Sequence, residues 1–198
     1  MTIKLEFIPT LVFGLVILSW FAFVAAFLVR KKPARAPDTK RDRGSITGVV
    51  LQGLSYALVW IVRRPYFSPI ISISKPLEIV IATLTVAVAF GSAWIAMAAV
   101  TALGKEWSVT ARLVEGHKLI TRGPYRFVRH PIYTSMFGML LATGLAISHW
   151  VALGPAIVIF FAGTVIRVRS EERLLRAEFG SEFESYTQRV AAMLPGVY

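Results

Sequence analysis

Six cationic or imidazole side chains fall within the eighteen residues GHKLITRGPYRFVRHPIY, from Gly116 to Tyr133: His117, Lys118, Arg122, Arg126, Arg129 and His130. A second polar group, Arg167 with Glu171 and Glu172, follows some forty residues after the first begins to give way to apolar sequence. Arg167 and Glu171 are four apart and share a helix face. They form either a surface ion pair, worth roughly 0.3–0.5 kcal/mol, or a divided site. In the second case Arg167 clamps an anion while Glu171 receives a cationic or hydrogen-bond-donating ligand. Glu172 is expected to point elsewhere, into solvent. His130 precedes Pro131, a residue suited to a first helical turn, so it stands beside the free amides and positive end of a helix. That place suits a bound carboxylate. It equally suits a plain helix cap, with Arg129 reaching to lipid headgroups.

Other chemistries are poorly provided for. The chain has no cysteine, which removes thiol nucleophiles and thiolate metal sites. Its three histidines, His117, His130 and His149, have no short metal-ligand spacing, so no metal centre is expected. There is no GxGxxG turn, Walker lysine loop, GxSxG elbow or HExxH helix.

The elements that must position these residues are apolar. Hydrophobic residues make up 56% and charged residues 17% of the 198, against about 25% charged in an ordinary soluble domain; the mean hydropathy is +0.63. An all-α integral membrane domain is expected over residues 1–198, with spans near 7–29, 46–62, 76–103, 131–148 and 150–166. The first run is long enough for the roughly 30 Å hydrocarbon core and lacks a clear cleavage pattern, which argues against a signal peptide. The second is short for a span. Small residues in the second half of the third, such as Ala89, Ser92, Ala93, Ala96 and Ala99, suit close helix packing. The stretch from Arg30 to Gly44, with seven Lys/Arg and two prolines, reads as a solvated connector of little regular structure.

Only His149 separates the last two runs. A connection that short makes an antiparallel hairpin, so Arg129–His130 and Arg167–Glu172 must emerge on one side. Counting Lys and Arg by alternate loops places 18 on that side and 4 on the other. The positive-inside rule then puts the N-terminus outside and the C-terminus, with both polar groups, in the cytoplasm. The net charge of +11 is assigned to anionic lipid rather than nucleic acid. Leu174, Leu175, Phe179, Phe183, Tyr186 and Val190 recur at helical steps, predicting an amphipathic helix over Glu171 to Leu194, interrupted near Gly180, as a lid or a brace.

The ordered segments GKEWS, EGHKLITRGPYRFVRHPIY, IRVRSEERLL, EFGSEFESY and LPGVY resemble the isoprenylcysteine carboxyl methyltransferase family, in its short five-span prokaryotic form, over about Leu103 to Tyr198. The resemblance implies an S-adenosylmethionine-dependent methyltransferase whose cofactor pocket is formed by the loop before the fourth span and the C-terminal helix. Carried over residue by residue, it implies cofactor contacts at His117, Lys118, Leu119, Ile120, Tyr125, Arg129, His130, Pro131, Ile132 and Glu171, and a substrate-binding, catalytic Arg167. The implied acceptor is a lipophilic, prenylcysteine-like carboxylate entering from the bilayer. Phosphatidylethanolamine N-methylation is the alternative within the class. A membrane scaffold or small transporter is the alternative outside it, but a transport path calls for polar residues within the spans, where only Glu78 is charged.

Overall fold

The computed structural model describes residues 6–28, 38–41, 44–65, 68, 74–109, 111–114 and 116–193. Lys4, most of the Arg30–Gly44 connector, most of the loop at 66–73 and the terminal LPGVY lie outside the described residues. Six α-helices account for most of what is described: α1 (Phe7–Leu28), α2 (Ser45–Ile61), α3 (Lys75–Leu103), α4 (Pro131–Ile147), α5 (Trp150–Phe179) and α6 (Ser181–Arg189). Three of them, α1, α3 with its short extension, and α5, are long and apolar enough to cross a bilayer, while α2 and α4 are shorter apolar helices. Large apolar side chains such as Phe7, Phe21, Leu28, Trp94 and Val158 stand exposed on their outer faces. Apolar surface on that scale belongs against lipid, and the protein is a multi-pass membrane protein.

α4 occupies the middle. One side packs Met139 and Ala142 against Val16 and Phe23 of α1 and Ala89, Ala93 and Ala96 of α3. The other packs Leu140 against Val59 of α2 and Ala156 and Phe160 of α5. The small residues of α3 therefore serve close packing, as expected: a side chain at Gly138 of α4 would collide with Ser92. Polar groups inside the bundle pair across helices, the Trp20 indole donating to Thr143 Oγ1 at 2.9 Å and the Tyr56 hydroxyl to the Met136 carbonyl at 2.6 Å.

The first five helices run alternately between two ends of the bundle. At one end Glu6, just before α1, lies 3.7 Å from Lys75 at the start of α3. The end of α2 meets the α4–α5 turn there, where His149 N–H donates to the Val62 carbonyl at 3.0 Å. Arg64 is buried at this end and donates to the Leu145 carbonyl at 2.8 Å. At the other end Phe27 packs on Trp107, just after α3, and the start of α2 meets α5. A Cβ on Gly163 would come within 2.7 Å of the Gly48 carbonyl oxygen, so the two backbones cross in contact. The His149 hairpin forms as expected, with Nδ1 capping α5 by accepting from Val151 N–H at 3.3 Å.

Two sequence expectations need correction. The connector contains a strand, β1 (Asp38–Arg41), paired antiparallel with β2 (Arg112–Val114); pairing with a distant partner supplies hydrogen bonds that local composition does not announce. The amphipathic segment is also not a separate helix beginning at Glu171. α5 continues unbroken from Trp150 to Phe179, and only Gly180, at φ +50°, turns the chain into α6. Glycine tolerates that conformation where other residues are strained.

Candidate functional site

The N-terminus of α4 and the outer half of α5 meet as the hairpin requires, and a compact charged cluster fills the junction. Pro131 opens α4 with no N–H to satisfy, and the His130 side chain makes no capping bond. Its buried ring faces α5 instead, with Nε2 3.1 Å from Glu172 Oε1 and Nδ1 3.4 Å from Glu171 Oε2. Arg129 Nε donates to the same Glu172 oxygen at 3.0 Å, and its Nη1 donates to the Thr187 carbonyl at 3.1 Å and to the Val190 carbonyl. Tyr133, in the first turn of α4, donates its hydroxyl to Glu171. The Arg167 guanidinium lies over the Tyr133 ring, 4.8 Å from its centroid, with Nη2 4.0 Å from Glu171 Oε1.

The expectation for Glu172 is overturned: it is buried and shared by Arg129, His130 and, at 3.2 Å, Arg176. Arg129 and His130 approach α5 from beside the helix, so successive residues of α5 both find partners. This also excludes the plainer roles, in which His130 caps a helix and Arg129 reaches to headgroups. Within the cluster the Glu171 side chain keeps 26% exposure, against 5–10% for Arg129, His130, Arg167 and Glu172. Glu171 is thus the most exposed of these five side chains.

The C-terminal segment braces this arrangement. Arg129 and His130 amides donate to the Ala191 and Ala192 carbonyls at 2.8 and 2.9 Å, and Thr134 Oγ1 donates to the Met193 carbonyl at 2.7 Å. From α6 the Tyr186 hydroxyl donates to the Tyr125 carbonyl at 2.6 Å. Tyr125 is itself buried close enough to Glu171 for that charge to act on it; burial first, then Glu171, pushes its phenol well above the ordinary value.

The remaining sequence-derived residues are placed differently. His117 sits in a contact set of its own, with Nδ1 3.1 Å from Glu106 Oε2 and its ring 6.1 Å from that of Phe179. Lys118 is exposed, Leu119, Ile120 and Ile132 are half-buried, and Pro131 is buried. Sequence reasoning missed Tyr133, Glu106 and Gln52. Gln52 had one available signal, as the lone amide side chain in the second apolar run.

Burial by itself would lower the His130 pKa, but the hydrogen bonds and charges of Glu171 and Glu172 outweigh it and hold the imidazole above its ordinary value. A histidine raised in the folded state adds stability that is complete below about pH 6.5 and is lost as pH rises through the folded value. The unfolding temperature in detergent is therefore expected to fall as pH rises above about 6.5, and His130→Gln is expected to flatten that slope. Equal slopes for the two proteins would refute it. His117 acts below that range, because burial outweighs Glu106 and lowers its pKa.

Residues 80–177, from α3 to near the end of α5, match the model of the isoprenylcysteine carboxyl methyltransferase (ICMT) family. Through this segment, about half of its length, the chain is similar to that family. A probable protein-S-isoprenylcysteine O-methyltransferase of Oryza sativa subsp. indica is 32% identical over 99 residues, covering 49% of this chain and 52% of that protein. Protein-S-isoprenylcysteine O-methyltransferase B of Arabidopsis thaliana is 34% identical over 92 residues, 45% of each. A third relative, the nickel-cobalt-cadmium resistance protein NccN of Alcaligenes xylosoxydans xylosoxydans, is 32% identical over 128 residues, 59% of each. The chain thus matches about half the length of the first two and somewhat more of the third. The ICMT segment contains the whole Arg129–His130–Tyr133–Arg167–Glu171–Glu172 cluster, whereas α2 and α6 lie outside it.

Proposed function

We propose that this chain is a membrane methyltransferase that uses S-adenosylmethionine to methylate the carboxylate of a lipophilic, prenylcysteine-like acceptor. The observation that carries this reading is the juxtaposition of an accessible carboxylate, Glu171, with a buried guanidinium, Arg167, at 4.0 Å. A cationic donor and an anionic acceptor need two such opposite charges side by side.

The residues suit the donor. S-adenosylmethionine carries a sulfonium, an ammonium and ribose hydroxyls, all of which favour an acceptor carboxylate. Glu171 is the most exposed member of the cluster, and Tyr133 and His130 hold its oxygens in place. Tyr125, Leu119, Ile120 and Ile132 offer aromatic and apolar surface for the adenine, with His117, Lys118, Arg129, His130 and Pro131 completing the proposed contact set. When bound, the cofactor supplies a methyl group on sulfonium sulfur, open to in-line displacement.

The protein then contributes orientation and exclusion of water. Arg167 is suited to aim the acceptor: its buried Nε–H has no hydrogen-bond partner among the described residues, and an unpaired buried donor of this kind is costly unless a ligand takes it. A carboxylate is already ionised at neutral pH and requires no base. An amine acceptor must first lose a proton, and His130, with a raised pKa and two carboxylate partners, is poorly placed to accept one. We further propose that α2 and α4 also cross the bilayer, in keeping with the alternation of the five helices between two ends. The N-terminus then lies outside and the charged cluster in the cytoplasm, and the acceptor's lipid tail enters laterally between helices.

The deciding experiment supplies labelled S-adenosylmethionine to the purified protein with either an N-acetyl farnesylcysteine or phosphatidylethanolamine. Label on the farnesylcysteine ester is expected. Label on the phospholipid would favour N-methylation, and label on neither, with no binding of S-adenosylhomocysteine at millimolar concentration, would favour a scaffold or transporter.

A further inference from the structure

Gln52 lies outside the segment that matches the family, yet it touches the guanidinium on which acceptor binding depends. It is seven residues into α2, roughly 10 Å along the helix from its start, and is fully buried. An amide side chain there is unfavourable unless its polar atoms are paired. They are paired in one direction only. Thr164 Oγ1–H donates to the Phe160 carbonyl at 2.8 Å, leaving its oxygen to accept from Gln52 Nε2 at 2.8 Å. That bond turns Gln52 Oε1 toward α5, where it accepts from Arg167 Nη1 at 2.9 Å. The sequence of donors, from Arg167 to Gln52 to Thr164 to Phe160, allows no reversal, because a guanidinium only donates.

The second support of Arg167 is also neutral: Nη2 donates to the Val109 carbonyl at 2.6 Å. Glu171 is 4.0 Å away and already engaged by Tyr133 and His130. Arg167 is therefore fixed in place by uncharged acceptors, which hold its geometry without neutralising its charge. Close contact between α2 and α5 makes this possible, since a side chain at Gly48 would collide with the aliphatic stem of Arg167.

We propose that Gln52, oriented by Thr164, is a positioning residue that presents Arg167 with its charge intact to the acceptor's carboxylate, and so sets acceptor affinity without contributing to donor binding. This rests on the carboxylate-methylating function proposed above. It also accounts for glutamine rather than glutamate at position 52: a carboxylate would pair with Arg167 and cancel the charge the acceptor needs.

The test compares wild type with Gln52→Ala, Gln52→Glu, Thr164→Val and Thr164→Ser in detergent. It reads binding of N-acetyl farnesylcysteine in the presence of S-adenosylhomocysteine, binding of S-adenosylhomocysteine alone, and KM and kcat for methylation. Gln52→Ala is expected to raise the acceptor Kd and KM about tenfold or more, the loss typical of one hydrogen bond to a charged group, with donor-product affinity unchanged. Gln52→Glu is expected to bind the acceptor more weakly still. Thr164→Val should shift acceptor affinity in the same direction, and Thr164→Ser, which keeps the hydroxyl, should restore it. Because Thr164→Val breaks the relay away from Gln52, it decides the matter even if the Gln52 variants fail to fold. Unchanged acceptor binding in Thr164→Val, or a parallel fall in donor-product and acceptor affinity, would overturn the positioning role alone. Failure of wild type to bind the farnesylcysteine would overturn the underlying function together with it.

Discussion

Glu172→Ala is expected to destabilise the protein by about 3–5 kcal/mol, the range for removing one partner of a buried ion pair. The effect comes from what is left behind more than from what is lost. Arg129 and His130 both direct buried nitrogens at Glu172 Oε1, at 3.0 and 3.1 Å. Without it, the Arg129 guanidinium would keep, among the described residues, only backbone carbonyl partners at Thr187 and Val190. The damage should therefore spread to the C-terminal brace, whose strand-like contacts run through the Arg129 and His130 amides. Thermal unfolding in detergent would measure the loss, and limited proteolysis would report release of the segment after α6. Glu172→Gln, which retains an acceptor but not the charge, should fall between wild type and alanine. A Glu172→Ala protein as stable as wild type would mean that the cluster does not hold α4 and α5 together.

The second large effect separates the two neighbouring charges. Glu171→Ala is expected to weaken S-adenosylhomocysteine binding roughly 10- to 150-fold, corresponding to about 1.5–3 kcal/mol for hydrogen bonds to a charged group. Arg167→Ala should lower turnover by about 100-fold, the scale of a displaced reactant, while donor-product affinity stays near that of wild type. The division follows from exposure and partners. Glu171 is the more accessible carboxylate, whereas Arg167 is buried with an Nε–H that has no partner among the described residues. Calorimetric titration of both variants beside a methylation assay checks it. Retained cofactor binding in Glu171→Ala would remove Glu171 from the donor site. Loss of donor binding in Arg167→Ala would show that the two residues act as one unit.

Much of this was legible in the chain before any coordinates. Long uncharged runs must satisfy their backbone groups internally, so they become helices. His149 alone between two of them forces a hairpin, which brings Arg129–His130 beside Arg167–Glu171. Pro131 marks the start of α4, and the spacing of Arg167 and Glu171 puts them on one face. Each of these follows from local geometry: chain length per residue, helical period, or the missing proline N–H.

Tertiary structure decided the partners. Helical period places Glu172 about 100° from Glu171 around α5, but only the position of α4 beside α5 shows that this direction faces Arg129 and His130 instead of water. Likewise, that Gln52 reaches Arg167 depends on the Gly48–Gly163 crossing, where two backbones touch because neither carries a side chain. The rotation of one helix against another is settled by how whole surfaces interlock. The identities of the polar residues set what each can bond to, and the packing of apolar residues between them determined which bonds are made.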